Sequence, residues 1–307
     1  MSFPYLSDLI YTLSGFRLPL PLPMFGLFVA CGAIVGGACL GTELRRLYRG
    51  GRLGLANQHR RLADGKMALA WVEPQMVVSD FTFIVLLAGI VGSRVFHILE
   101  HLDMFMADPA GMILSRSGLS IFGGLIFGTV TGLVLLRRWR IPAPPFVDAI
   151  APALMLGYAI GRIGCQVAGD GDWGIAANMA LKPDWLPTWF WAQNYVGNIA
   201  GIPIAAPGVY PTPVYETLMC LGCFALLWSL RSHPFRGGWL FALYLFLAGV
   251  ERLLIEQIRI NVKLHMLGLV CTQAELLATL FLALGLAGIV LLSRPRNANG
   301  MSPANRE

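Results

Sequence analysis

The chain has 307 residues, 56% of them hydrophobic and only 13% charged, with 35 glycines and 12 methionines. Soluble domains carry near 25% charged residues, so this composition and a mean hydropathy of +0.64 exclude soluble, disordered, collagen-like and coiled-coil chains and point to a helical membrane protein. The net charge of +6 would suit a nucleic-acid binder, but the basic residues are sorted between alternate loops, which is an orientation signal, and no nucleic-acid partner is expected.

Crossing roughly 30 Å of hydrocarbon takes about 20 apolar residues. Such windows fall at 20–41, 77–99, 119–136, 146–165, 214–230, 239–258 and 273–292, which predicts an all-α polytopic membrane protein of seven transmembrane helices, one integral membrane domain over 1–307. Met1 to Arg17 holds no basic stretch directly before the first apolar run, and that run continues to Leu40. The first span therefore reads as an uncleaved helix.

Lys and Arg settle the expected orientation. One side takes fifteen, among them Arg45, Arg46, Arg49, Arg52, Arg60, Arg61, Lys66, Arg137, Arg138, Arg140, Arg231 and Arg236, and the other takes five: Arg17, Arg116, Lys182, Arg259 and Lys263. Positive loops stay in the cytoplasm, so the N-terminus is expected outside and the C-terminus inside, with a cytoplasmic tail at 293–307. The outer segment 166–213 carries Trp173, Trp185, Trp189, Trp191, Tyr195 and Tyr210 among Pro and Gly. Aromatics favour the headgroup level, and this segment is expected to form a small extracytoplasmic cap.

Cys31, Cys39, Cys165, Cys220, Cys223 and Cys271 lie mostly within apolar runs, where free cysteine behaves as a small hydrophobe. Neither a disulfide framework nor a zinc site follows, and the pair Cys220 and Cys223 lacks a second pair or a histidine partner.

Three arginines stand within or at the edge of spans: Arg94, Arg162 and Arg252. A charge at the bilayer centre costs about 2.5–3.5 kcal/mol on insertion scales, so each is expected to face a protein interior or a water-filled cavity, with a partner. Arg252, Glu256 and Arg259 follow at i, i+4 and i+7 and share one helix face. They read either as a structural ion-pair ladder or as a site for phosphate, which the guanidinium fork suits. The fourth span ends in Gly157, Gly161, Arg162, Gly164, Gly169, Asp170, Gly171, Asp172, Trp173 and Gly174. This describes a helix that breaks up where backbone comes close to a ligand, and irregular backbone at that depth is tolerated where it lines a cavity. Tyr210 to Glu216 enters the fifth span with Tyr215 and Glu216 set to pair with the arginines, while Glu100, Asp148 and Glu275 read as caps or local partners. Arg94, His97 and His101 line one face of the second span. The two histidines lack an evident third ligand, so no metal and no cofactor is expected.

At these residues the chain resembles the bacterial prolipoprotein diacylglyceryl transferase family. The resemblance runs through Gly92-Ser-Arg94, Gly118-Leu-Ser-Ile-Phe-Gly123-Gly124-Leu, Gly161-Arg162-Ile-Gly164 to Gly174, Pro211-Thr-Pro-Val-Tyr215-Glu216, and Arg252 with Glu256 and Arg259. It implies a multi-pass protein of the bacterial cytoplasmic (inner) membrane. Its partners would be membrane lipids, phosphatidylglycerol and the lipobox peptide of a prolipoprotein. The diacylglyceryl group would pass to the lipobox thiol as a thioether, with release of glycerol phosphate. Arg162, Arg252, Asp170, Asp172 and Glu256 would be catalytic; Arg94, Gly123, Gly124, Gly161, Gly164, Gly174, Tyr215, Glu216 and Arg259 would bind substrate.

The chain departs from the family pattern at Phe25, at Cys165 and at Phe122, where the family has a tyrosine, an asparagine and a histidine. An imidazole accepts a thiol proton and a phenyl ring does not, so the base would fall to Asp170, Asp172 or Glu256. The alternatives are a related transferase with another acceptor or lipid, and a non-catalytic phospholipid-binding protein.

Overall fold

A computed structural model describes residues 2–16, 19, 22–61, 67–115, 118, 120–261, 263–266 and 269–295. The expected tail from 296 onward, and Arg17, Lys66 and Arg116 of the charge count, lie outside the described residues. The chain runs through α1 (Leu6–Ser14), α2 (Met24–Arg49), β1 (Ala56–Arg61), β2 (Met67–Val72), α3 (Val78–Glu100), α4 (Leu102–Ala107), α5 (Pro109–Leu114), α6 (Ile121–Arg138), α7 (Ala143–Ala168), α8 (Thr188–Trp191), α9 (Thr212–Ser229), α10 (Trp239–Glu256), β3 (Lys263–Met266), β4 (Leu269–Thr272) and α11 (Gln273–Leu292). The strands form two antiparallel hairpins, with Ala56 opposite Val72 and Lys263 opposite Thr272.

Every predicted span has a helix at its place, but among the described residues five stretches are long and apolar enough to cross a membrane: α2, Pro74–Glu100 containing α3, α6, α7 and α11. The other two, α9 and α10, are 18 residues each. They carry Glu216, and Glu251, Arg252 and Glu256 respectively. Apolar windows gave no sign of α1, α4, α5 or the hairpins, which are too short to register as spans.

The chain divides into two compact units, Gly37–Phe146 and Met1–Gly36 with Val147–Glu307. In the first, α3 and α6 meet through glycine. A Cβ on Gly92 would fall 2.5 Å from the carbonyl oxygen of Gly123, and one on Gly123 would fall 2.1 Å from that of Gly92. Only bare backbone permits this approach, a common way for helices to associate in lipid. At the other end of this unit Phe81 packs edge-on against Phe146 with ring centroids 4.9 Å apart.

In the second unit, Met155 and Ala159 of α7, Cys220 and Leu227 of α9 and Leu240 of α10 form a buried cluster. Asp148 accepts the amides of Gly238 at 2.8 Å and Phe241 at 3.0 Å, capping the start of α10, and Glu275 completes a capping box with Thr272 at the start of α11. Both acids thus have the capping roles expected of them. The segment between α7 and α9 is ordered around its own buried cluster of Trp173, Tyr195 and Val209. The rings of Trp173 and Tyr195 lie 5.1 Å apart.

Candidate active site

α7, the end of α10 and the turn that follows it bring three guanidiniums to one carboxylate near the start of α9. Glu216 has no exposed side-chain surface and faces three guanidiniums: Arg162 Nε at 2.8 Å, Arg259 Nη1 at 3.1 Å and Arg252 Nη1 at 3.3 Å. A buried carboxylate without partners would be strongly disfavoured, and a buried guanidinium likewise. Here each supplies the other's compensation. The helical spacing seen in the sequence explains part of this, because Arg252 and Glu256, four apart on α10, pair at 2.8 Å.

Asp172 closes the cluster from the loop after α7. Its two oxygens accept from Arg162 Nη1 and from Arg259 Nη2. Burial alone would push its pKa up, but the guanidiniums of Arg259 and Arg162 hold its carboxyl below the ordinary aspartate value. The loop that delivers it is shaped by glycine. Gly171 has φ +99°, a backbone state that side chains rarely adopt. Gly174 lies against the strand of backbone leaving α10, where a Cβ would fall 2.5 Å from the carbonyl oxygen of Ile258. The amide of Ile175 donates to that oxygen at 2.8 Å, the amide of Gly174 to Tyr210 O at 2.9 Å, and Thr212 Oγ1 to Asp172 O at 2.6 Å.

Glu256 accepts from Asn261 Nδ2 at 2.7 Å and Thr272 Oγ1 at 2.6 Å as well as from Arg252, so it joins the end of α10 to the start of α11. Arg162 also donates to Tyr158 Oη at 3.0 Å and lies 3.7 Å from Cys165 Sγ. Three guanidiniums thus stand against three carboxylates, those of Asp172, Glu216 and Glu256. Arg252 is the most exposed of the three, at 22% of its side chain against 12% for Arg162 and 7% for Arg259.

The structure therefore brings together Arg162, Asp172, Glu216, Arg252, Glu256 and Arg259. Asp170 sits beside them, half-buried, accepting the Asp172 amide at 3.2 Å. Among the described residues no guanidinium pairs with it. Tyr215 turns to the cap, donating to Phe190 O at 2.6 Å. Gly164 packs against Phe25 and Phe28 of α2, while a Cβ on Gly161 would meet nothing within 4 Å. Arg94, Gly123 and Gly124 belong to the other unit. There Arg94 donates to the carbonyls of Met112 and Ser115, and Gly124 lies beside Ser93.

Four participants escaped sequence reasoning: Tyr158, Glu251, Asn261 and Thr272. Tyr158 was legible in principle, one turn before Arg162 on the same face. Glu251 is 3% exposed and its Oε1 has no hydrogen-bond partner among the described residues; preceding Arg252 directly, it shows no helical spacing to the residues it approaches. Asn261 and Thr272 reach Glu256 only through the hairpin after α10, which no sequence signal announced.

A model of the prolipoprotein diacylglyceryl transferase family matches residues 14–291. Phosphatidylglycerol–prolipoprotein diacylglyceryl transferase 1 of Streptomyces coelicolor is 30% identical over 286 residues, covering 91% of this chain and 71% of that protein. The transferase of the same name from Streptomyces avermitilis is 29% identical, covering 91% and 72%. That of Corynebacterium glutamicum is 28% identical over 258 residues, covering 79% and 71%. The chain belongs to the prolipoprotein diacylglyceryl transferase family.

Proposed function

We propose that this protein transfers the diacylglyceryl group of phosphatidylglycerol to the cysteine thiol of a prolipoprotein lipobox. The observation that carries the reading is the convergence of Arg162, Arg252 and Arg259 on Glu216. Guanidiniums fixed in a water-poor site hold a phosphodiester and stabilise the charge that develops on the departing phosphate. The thiol sulfur bonds to the glycerol carbon, the bond from that carbon to the phosphate oxygen breaks, and glycerol phosphate leaves. The thiol proton passes to a carboxylate.

The hydrogen-bond partners of the acids support a division of labour among them. Glu216 is ringed by three guanidiniums, Glu256 accepts from Arg252, Asn261 and Thr272, and Asp172 is held anionic by two guanidiniums, which makes it a weak proton acceptor. Asp170 stands next to the cluster without a guanidinium among the described residues and is assigned as the base in place of the imidazole that Phe122 lacks. Arg252, the most exposed of the three guanidiniums, is assigned to the phosphodiester together with Arg162. Arg94, Gly123, Gly124, Gly161, Gly164, Gly174 and Tyr215 complete the substrate-binding assignment.

We further propose seven membrane crossings in the inner membrane, N-terminus out and C-terminus in. α9 and α10 then cross as part of the bundle with their charges turned to one another, and the 166–213 cap lies on the outer face, where a secreted precursor arrives. The test is release of glycerol phosphate from phosphatidylglycerol by purified protein given a lipobox peptide. Turnover that falls about 10²- to 10⁴-fold in Asp170→Asn, with lipid binding kept, supports the reading. Lipid binding without any release in the wild-type protein would favour a non-catalytic phospholipid-binding protein.

A further inference from the structure

The end of α3 holds a second group of chemistry-bearing side chains that the transfer reaction does not use. His97, Glu100 and His101 each offer a ligand atom, and these atoms lie within 4.8 Å of one another. His97 and His101 are half-buried and Glu100 is exposed. Taken alone, two histidines four residues apart on a helix lack a third ligand. Glu100, the last residue of α3 and one turn after His97, is the third, and His101 just beyond it leaves the helical conformation at φ −137° and ψ 52°. The two imidazole rings come to 4.6 Å between centroids.

The surroundings orient these groups as metal ligands are oriented. His101 Nδ1 lies 3.1 Å from the carbonyl oxygen of His97. A proton on Nδ1 donated to that carbonyl leaves Nε2 with a lone pair, the tautomer a metal requires. Ser120 Oγ donates to Glu100 Oε1 at 2.8 Å, and a hydrogen-bonded carboxylate is the usual partner in such a shell. Gly118 lies against the His97 ring, where a Cβ would fall 2.2 Å from Nε2, so a larger residue there would displace the imidazole.

We propose that His97, Glu100 and His101 bind a divalent transition-metal ion of the zinc class, with water completing the coordination. Two imidazoles and one carboxylate form a set that zinc takes with bonds of about 2.0–2.2 Å, and the three ligand atoms already lie within 4.8 Å of one another.

The experiment is a titration of tag-free, detergent-purified full-length protein with Co(II), followed by its visible absorption, and competition by Zn(II). One equivalent per chain with the intense bands of a four-coordinate site is expected, displaced by Zn(II). His101→Ala is expected to weaken binding by tenfold or more, and Glu100→Gln, at an exposed position that leaves folding intact, to weaken it by about tenfold. The same Co(II) binding in wild-type, His101→Ala and Glu100→Gln protein would overturn the proposal, as would the lack of any stoichiometric binding by the wild-type protein.

Discussion

α3 and α6 join by bringing bare backbone together at Gly92 and Gly123, whereas α7, α9 and α10 join at a buried carboxylate ringed by guanidiniums. The first solution uses no charge and is cheap in apolar surroundings. The second places charge where each unpaired member costs several kcal/mol. A chain that has the glycine solution available does not need charge to hold helices together, and the charged joint is where the transfer reaction is proposed to take place.

The two joints are expected to break differently. Glu216→Gln removes the negative charge that three guanidiniums share, and loss of one partner from a buried pair costs about 3–5 kcal/mol. The unfolding temperature in micelles is expected to fall further than for any change at the glycine joint, with no residual transfer. Gly123→Leu instead overpacks the α3–α6 joint, for which about 1–3 kcal/mol is the usual penalty. Activity per folded molecule is the sharper readout: if it is kept, Gly123 serves packing, and if it collapses while unfolding is unchanged, Gly123 serves the substrate.

Acid distinguishes the joints again. The folded Asp172 carboxyl titrates below its unfolded value because Arg259 and Arg162 outweigh burial. Its contribution to stability is complete above the unfolded value of about 3.9 and is lost as pH falls through the lower folded value. Wild-type protein is therefore expected to lose stability on acidification below about pH 4, and Asp172→Asn to show a smaller loss over the same range. The smallest effect is expected at Gly161, where an added methyl meets nothing within 4 Å. Gly161→Ala is expected to hold or gain stability, by up to about 1 kcal/mol from helix propensity; a drop in activity alone would assign Gly161 to substrate contact.

What the sequence made legible follows from the range of its signals. Hydrophobic windows located a helix for each predicted span, and i, i+4 spacing paired Arg252 with Glu256, since both signals act within one helix. The convergence of Arg162, Arg252 and Arg259 on Glu216 was visible only as a set of charges at matching depths. Its geometry depends on loops: Asp172 is aimed by the Gly171 turn and by the backbone contacts of Gly174 with Ile258 and Tyr210. The Thr272–Glu256 contact depends on a hairpin whose pattern is too short to read. At the end of α3, the histidine spacing was plain, but the approach of Glu100 to both rings was not.

The most direct test of the arginine cluster is glycerol phosphate release by Arg252→Ala and Arg252→Lys, each compared with wild type at equal folded abundance. Arg252 donates to Glu216 and Glu256 through different nitrogens and keeps the most exposed guanidinium of the cluster. Loss of release in Arg252→Ala, not fully restored by an ammonium that cannot offer the planar fork, is the expected result. Full release by folded Arg252→Ala would contradict it and remove the cluster from the reaction.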